Sequence, residues 1–210
     1  MKNEFFDELK RKIQPYFKNS GSHAFDHTER VLNLALKIAR NKDLDIDVIK
    51  ASCLMHDIAR LREDNNEIEC HAEQGAKMAK KILEEVKFPE EKIQKVIYAI
   101  KVHRHSSKIK AETKEAEILQ DADRLDALGA ITIGRMFSTG GELNRPLYNP
   151  STPLDGKDHR KSVIHGFYYK ILKITPDSFN TKEAKEIAKE RYKFVEQFIE
   201  RFLKEWKGEL

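Results

Sequence analysis

The chain has 210 residues, 40% of them hydrophobic and 35% charged, and its 39 Lys and Arg against 35 Asp and Glu leave a formal charge of +4. That composition excludes a disordered chain, and a charge balance this even, without a long Lys/Arg cluster, gives little ground for nucleic-acid binding while suiting a site for small anions. Two cysteines imply no disulfide framework, "MKNEFFDELKRK" lacks the apolar core of a signal peptide, and no run approaches the ~20 apolar residues of a membrane span, so a reducing, cytoplasmic setting is expected.

Apolar residues recur at three- and four-residue spacing in "FFDELKRKIQPYF" and again in "ERVLNLALKIAR", which predicts two helices at the start of the chain. His27 precedes Val31, Leu34 and Ile38 on one face of the second, so it points inward. A capping Asp45 opens "IDVIKASCLMHDIARL", where His56 shares a face with Ile49 and Cys53 and adjoins Asp57. The next helix, "AEQGAKMAKKILEEV", follows His71, which aligns with Gly75, Met78 and Ile82. Pro89 and the acids after it start "PEEKIQKVIYAIKVH", with His103 on the stripe of Val96 and Ile100. In "EAEILQDADRLDALGAI" the buried arc is Ile118, Ala122 and Leu125; Asp123 and Asp126 lie on its inward edge and Asp121 projects to the other.

From Ser138 to Lys161, glycines, prolines and Asn/Asp turn formers predict a long loop that could wall or cover a site with Arg145, Tyr148 and His159. Thr181 caps the last helix, "TKEAKEIAKERYKFVEQFIERFLKEW". Its stripe either packs on the domain or, through Phe198, Phe202 and Trp206, serves a homodimer. No stretch alternates like a strand. The expected fold is therefore all-α: one helical domain over 1–210, with a core at about 20–135 and a C-terminal helical addition at about 160–207 after the long loop.

A core histidine bonded to a backbone carbonyl explains any one of these inward imidazoles. Four of them beside inward carboxylates suggest a shared metal ion, because burying several polar rings costs a few kcal/mol each unless all are satisfied.

His27, then His56-Asp57, then an aspartate of "DADRLDALGA", each in a helical context, resembles the HD-domain metal-dependent phosphohydrolase superfamily over about residues 20 to 135. The resemblance implies an HD-domain helical bundle with additional C-terminal helices. It also implies one divalent ion held by His27, His56, Asp57 and, by register against "ADRL", Asp123, with Asp121 as second choice. "CHAEQGA" and "IKVHRH" resemble the positions where binuclear members add two histidines, so His71 and His103 are expected to hold a second ion or to touch substrate. The Gly-Tyr-Pro signature of the cyclic-di-GMP phosphodiesterase branch is absent. "SVIHGFYYKILKI" and the charged last helix look more like the small standalone branch associated with nucleoside triphosphate pyrophosphohydrolysis.

A mixed imidazole and carboxylate shell suits Mn, Fe, Co, Ni, Zn or Mg as a divalent ion. His71, His103 and Asp126 are the expected catalytic groups, moving protons or holding the leaving group. Arg30, Arg60 and Arg124 are expected to bind phosphate; each has an ordinary ion pair as its alternative, and Arg104, His23, His105, Lys108 and Lys110 stand behind them. The expected function is metal-dependent hydrolysis of a phosphate ester or phosphoanhydride, foremost of a nucleotide. A catalytically silent metal- or nucleotide-binding module is the alternative, and an RNA- or DNA-associated helical protein ranks last.

Overall fold

The computed structural model describes residues 1–17, 25–104 and 109–210; His23, His105 and Lys108 lie outside them. Every regular element among the described residues is helical, as the periodicity predicts, and none of these helices is long and apolar enough to cross a membrane. The chain forms two compact units, Met1–Asp123 and Arg124–Leu210.

The first unit holds α1 (Asn3–Ile13), α2 (Phe25–Ala39), α3 (Ile46–Met55), α4 (Arg60–Asp64), α5 (His71–Glu85), α6 (Glu90–Val102) and most of α7 (Lys114–Asp126). Asp45 caps α3 by accepting from the Val48 amide at 3.3 Å. From Val48 to Met55 only Lys50 escapes burial, and a helix apolar all round belongs at the centre of its unit. It packs against α1, α2 and α6, while α5 pairs with α6.

Several boundaries differ from expectation, and α7 stops at Asp126, within the predicted run "EAEILQDADRLDALGAI". The run "IDVIKASCLMHDIARL" is two helices, because α3 stops at Met55 and residues 56–59 form a turn before α4. The bonds from Ile58 N to Met55 O (3.2 Å) and from Arg60 N to Asp57 O (2.9 Å) close three-residue rather than four-residue loops. His56 and Asp57 thus stand at the junction of two helices, where α3 ends and the tightened turn begins.

The second unit contains α8 (Ala130–Glu142), α9 (Val163–Tyr169) and α10 (Lys182–Trp206). Thr181 caps α10 as predicted, accepting from Ala184 N at 3.3 Å. The long loop begins later than the sequence suggests, since α8 takes in Ser138–Glu142. Gly140 lies where α8 meets α9, and a β-carbon there would overlap the Val163 side chain, so the glycine marks a close helix approach, not a turn. Within the loop, Tyr148 stacks on His165 at 6.0 Å and meets Trp206 edge-on at 5.5 Å, and His159 lies 4.7 Å from Tyr169. On α10, Phe198 and Phe202 are half-buried, each 6.0 Å from Phe137, whereas Phe194 and Trp206 stay exposed.

Candidate metal centre

Five helices of the first unit bring four imidazoles and two carboxylates together. His27 comes from the first turn of α2, His56 caps the C-terminus of α3, and Asp57 follows in the turn. His71 is the first residue of α5, His103 caps the C-terminus of α6, and Asp123 lies on α7. The four histidines and Asp57 are buried.

Two clusters share Asp57. In the first, His27 Nε2 lies 3.4 Å from His56 Nε2, 3.9 Å from Asp57 Oδ2 and 3.3 Å from Asp123 Oδ1. His56 Nε2 is 3.7 Å from Asp57 Oδ2 and 3.9 Å from Asp123 Oδ1. In the second, the other oxygen of Asp57, Oδ1, lies 3.3 Å from His71 Nε2 and 3.6 Å from His103 Nε2, with 3.3 Å between the two ring nitrogens. Ligands at ~2.1 Å from one ion stand roughly 3.0–3.4 Å apart, so either cluster closes on an ion with shifts of a few tenths of an ångström.

The outer hydrogen bonds set what the rings present inward. A carbonyl oxygen can only accept, so His56 Nδ1–H donates to Cys53 O at 2.8 Å and His103 Nδ1–H donates to Ile100 O at 2.6 Å. His71 Nδ1–H donates to Glu63 Oε2 at 2.8 Å, and the same oxygen accepts from the His71 amide at 2.7 Å and from Arg104 at 3.2 Å. With Nδ1 engaged outward, each of these three rings presents its Nε2 toward the carboxylates. Burial pushes His56 down to about 4, which keeps it neutral at pH 7. Burial opposes charging of His103 too, yet Asp57, Asp123 and the Ile100 carbonyl together raise its pKa. Burial likewise pulls Asp123 upward, and the His27 hydrogen bond with the nearby imidazoles more than offsets it, holding the carboxyl ionised. Imidazole nitrogens and carboxylate oxygens gathered in two clusters that share Asp57 are donor types that suit a divalent metal. Asp123 keeps 27% of its side chain accessible, against 6% or less for the other members.

The predicted phosphate-binding arginines are placed differently from one another. Arg30 pairs with Asp26 at 2.7 Å, one helical turn from His27, and Arg60 with Asp64 at 2.9 Å, across the turn from His56; both arginines are half-buried. Arg124 is buried in the second unit, where it donates to the Ser178 carbonyl and stacks over Phe179. Asp126 belongs to that unit as well and pairs with Arg135 at 2.7 Å. Asp121 is buried. Two features escaped the sequence reading: the bridging of both clusters by Asp57, and Glu63 as the acceptor that orients His71. No periodic signal links Glu63 to His71, because a turn separates their helices.

A family model for the HD domain matches residues 24–128. The chain belongs to the HD-domain family. A solved HD-superfamily hydrolase from Bacillus thuringiensis is 34% identical to it, covers 99% of both chains and superposes with a TM-score of 0.78. A Listeria innocua protein is 32% identical over 99% of this chain and 98% of its own, with a TM-score of 0.74. YpgQ of Bacillus subtilis, solved in complex with ADP, is 26% identical over 96% of this chain and 94% of its own, with a TM-score of 0.73.

Proposed function

We propose that this HD-domain protein is a divalent-metal-dependent phosphohydrolase acting on nucleotides, with nucleoside triphosphates and pyrophosphate release as the leading case. The observation that carries the reading is the gathering of four buried imidazoles around Asp57 in two metal-sized clusters, with Asp123 beside the first. The ADP held by YpgQ supports a nucleotide as the substrate class.

His27, His56, Asp57 and Asp123 would hold one ion; Asp57, His71 and His103 would hold a second. Ions bound there supply Lewis acidity, lowering the pKa of a water from ~15.7 towards ~7 and drawing charge from a phosphoryl oxygen. The protein's own groups prepare that chemistry. The Cys53 and Ile100 carbonyls and Glu63 fix three rings with Nε2 inward, the buried walls exclude bulk water, and the side at Asp123 admits the phosphate. In this reading Arg30 and Arg60 would meet phosphate charge by exchanging their acidic partners Asp26 and Asp64. The reading gives no role to Arg124 or Asp126.

The test is phosphate and pyrophosphate release from nucleoside mono-, di- and triphosphates in Mn²⁺, then Co²⁺ or Ni²⁺, with His56→Ala as the blank. Release that disappears in the blank is expected, and its product identifies the bond cleaved. Metal retention with silence across the panel would replace the hydrolase reading by a binding module.

A further inference from the structure

The α8 helix has an exposed face that none of the described residues covers. Ala130, Ile131, Gly134, Ser138, Gly141 and Glu142 recur at three- and four-residue spacing, and all are exposed. Met136 points the other way, against Gly166. A β-carbon at Gly134 or Gly141 would meet no atom of the described residues within 4 Å, so no contact among them calls for either glycine, each of which costs a helix up to ~1 kcal/mol relative to alanine.

Both ends of α8 are also electrostatically unmatched. Its N-terminus has Gly129 as cap, with no side-chain cap bond and no acid in the first turn, and its last turn carries Glu142 and no base. Beside the N-terminus lies a groove of about 440 Å³ between α8 and α10, where Arg191 and Lys193 outnumber the single acid Glu190 beside Gly129, Ala130 and Phe194. Phe194 is 47% exposed there and Ile131 48%. Beyond the other end, Leu143 is 53% exposed.

We propose that this face joins two copies of the chain, with α8 packed antiparallel on the partner's α8 about a two-fold axis at the level of Met136. That symmetry sets Ile131 against the partner's Gly141, large against small, and Gly134 against the partner's Ser138, where two small residues allow close approach. It also brings the partner's Glu142 to the uncapped N-terminus beside Lys193, and its last turn to the groove, and each of these contacts is made twice. The inference is independent of the catalytic reading, since every metal-centre residue named above belongs to the first unit.

Sedimentation equilibrium on the full chain tests it. The wild type is expected to be a dimer at micromolar concentration, and a monomer there would overturn the proposal. Gly134→Arg has room within its own chain, so it should give a folded monomer with unchanged metal retention; a dimer persisting in that variant would rule out this face. Glu142→Lys and Lys193→Glu should each weaken association about tenfold and the double variant should restore it, whereas additive losses would refute the end-to-end pairing.

Discussion

At the scale of single residues, Asp57 has the largest consequence, because its two oxygens serve different clusters. Removing it should empty both sites, while removing His71 should empty one. Metal analysis after loading with Mn²⁺ is therefore expected to give two equivalents per chain for the wild type, one for His71→Ala and none for Asp57→Ala, with circular dichroism still helical in all three. Two equivalents in Asp57→Ala would contradict the bridging arrangement. Glu63 touches no ion in this scheme; it holds the His71 ring in its working tautomer and orientation. Glu63→Gln should loosen the second ion by about 10–100-fold and leave the first unchanged, in line with the usual effect of losing an orienting partner. Cys53 lends only its carbonyl, since burial pushes its thiol up and keeps it protonated.

At the scale of elements, helix ends do the positioning. His56 and His103 occupy equivalent places, each capping a helix C-terminus and donating to the carbonyl three residues back, where the helix leaves acceptors unsatisfied. One local device thus satisfies the backbone and aims the ring. The glycines of α5 and α8 report helix approach of two kinds. At Gly75 a β-carbon would sit 3.5 Å from His56 O and 3.7 Å from Ile100, ordinary contact distances. Gly75→Ala should therefore fold and raise stability by about 0.5–1 kcal/mol through the lower entropy of its unfolded chain. At Gly140 the added carbon would overlap Val163. Gly140→Ala should cost about 1–3 kcal/mol, and Val163→Ala in the same chain should return part of it. Urea denaturation of the four proteins checks both signs, and equal effects at the two glycines would defeat the argument.

At the scale of the whole molecule, five helices of the first unit contribute to a centre whose acceptors repel one another when no cation is present. Chelation should therefore destabilise the protein as well as silence it. Ions at 100 times their dissociation constant add about 2.7 kcal/mol per site. For a chain of this size each kcal/mol moves the melting point by about 2–4 °C, so calorimetry should show a drop of ~5–10 °C or more with chelator. His56→Ala should show a smaller response, and a melting point indifferent to chelator in the wild type would count against any ion at the centre. Much of this architecture was legible in the linear chain. Apolar periodicity announced the helices, Asp45 and Thr181 announced two of their starts, and the inward phase of His27, His56, His71 and His103 selected the polar residues now found buried together. Those signals are local, carried by spacing within one helix, and local physics suffices to read them. The stop of α3 at Met55, the sharing of Asp57 between clusters, the hold of Glu63 on His71 and the pairing of Asp126 with Arg135 had no such signal. Each depends on which groups meet across helices or turns and on which buried atoms still need a partner, and folding in three dimensions settles that.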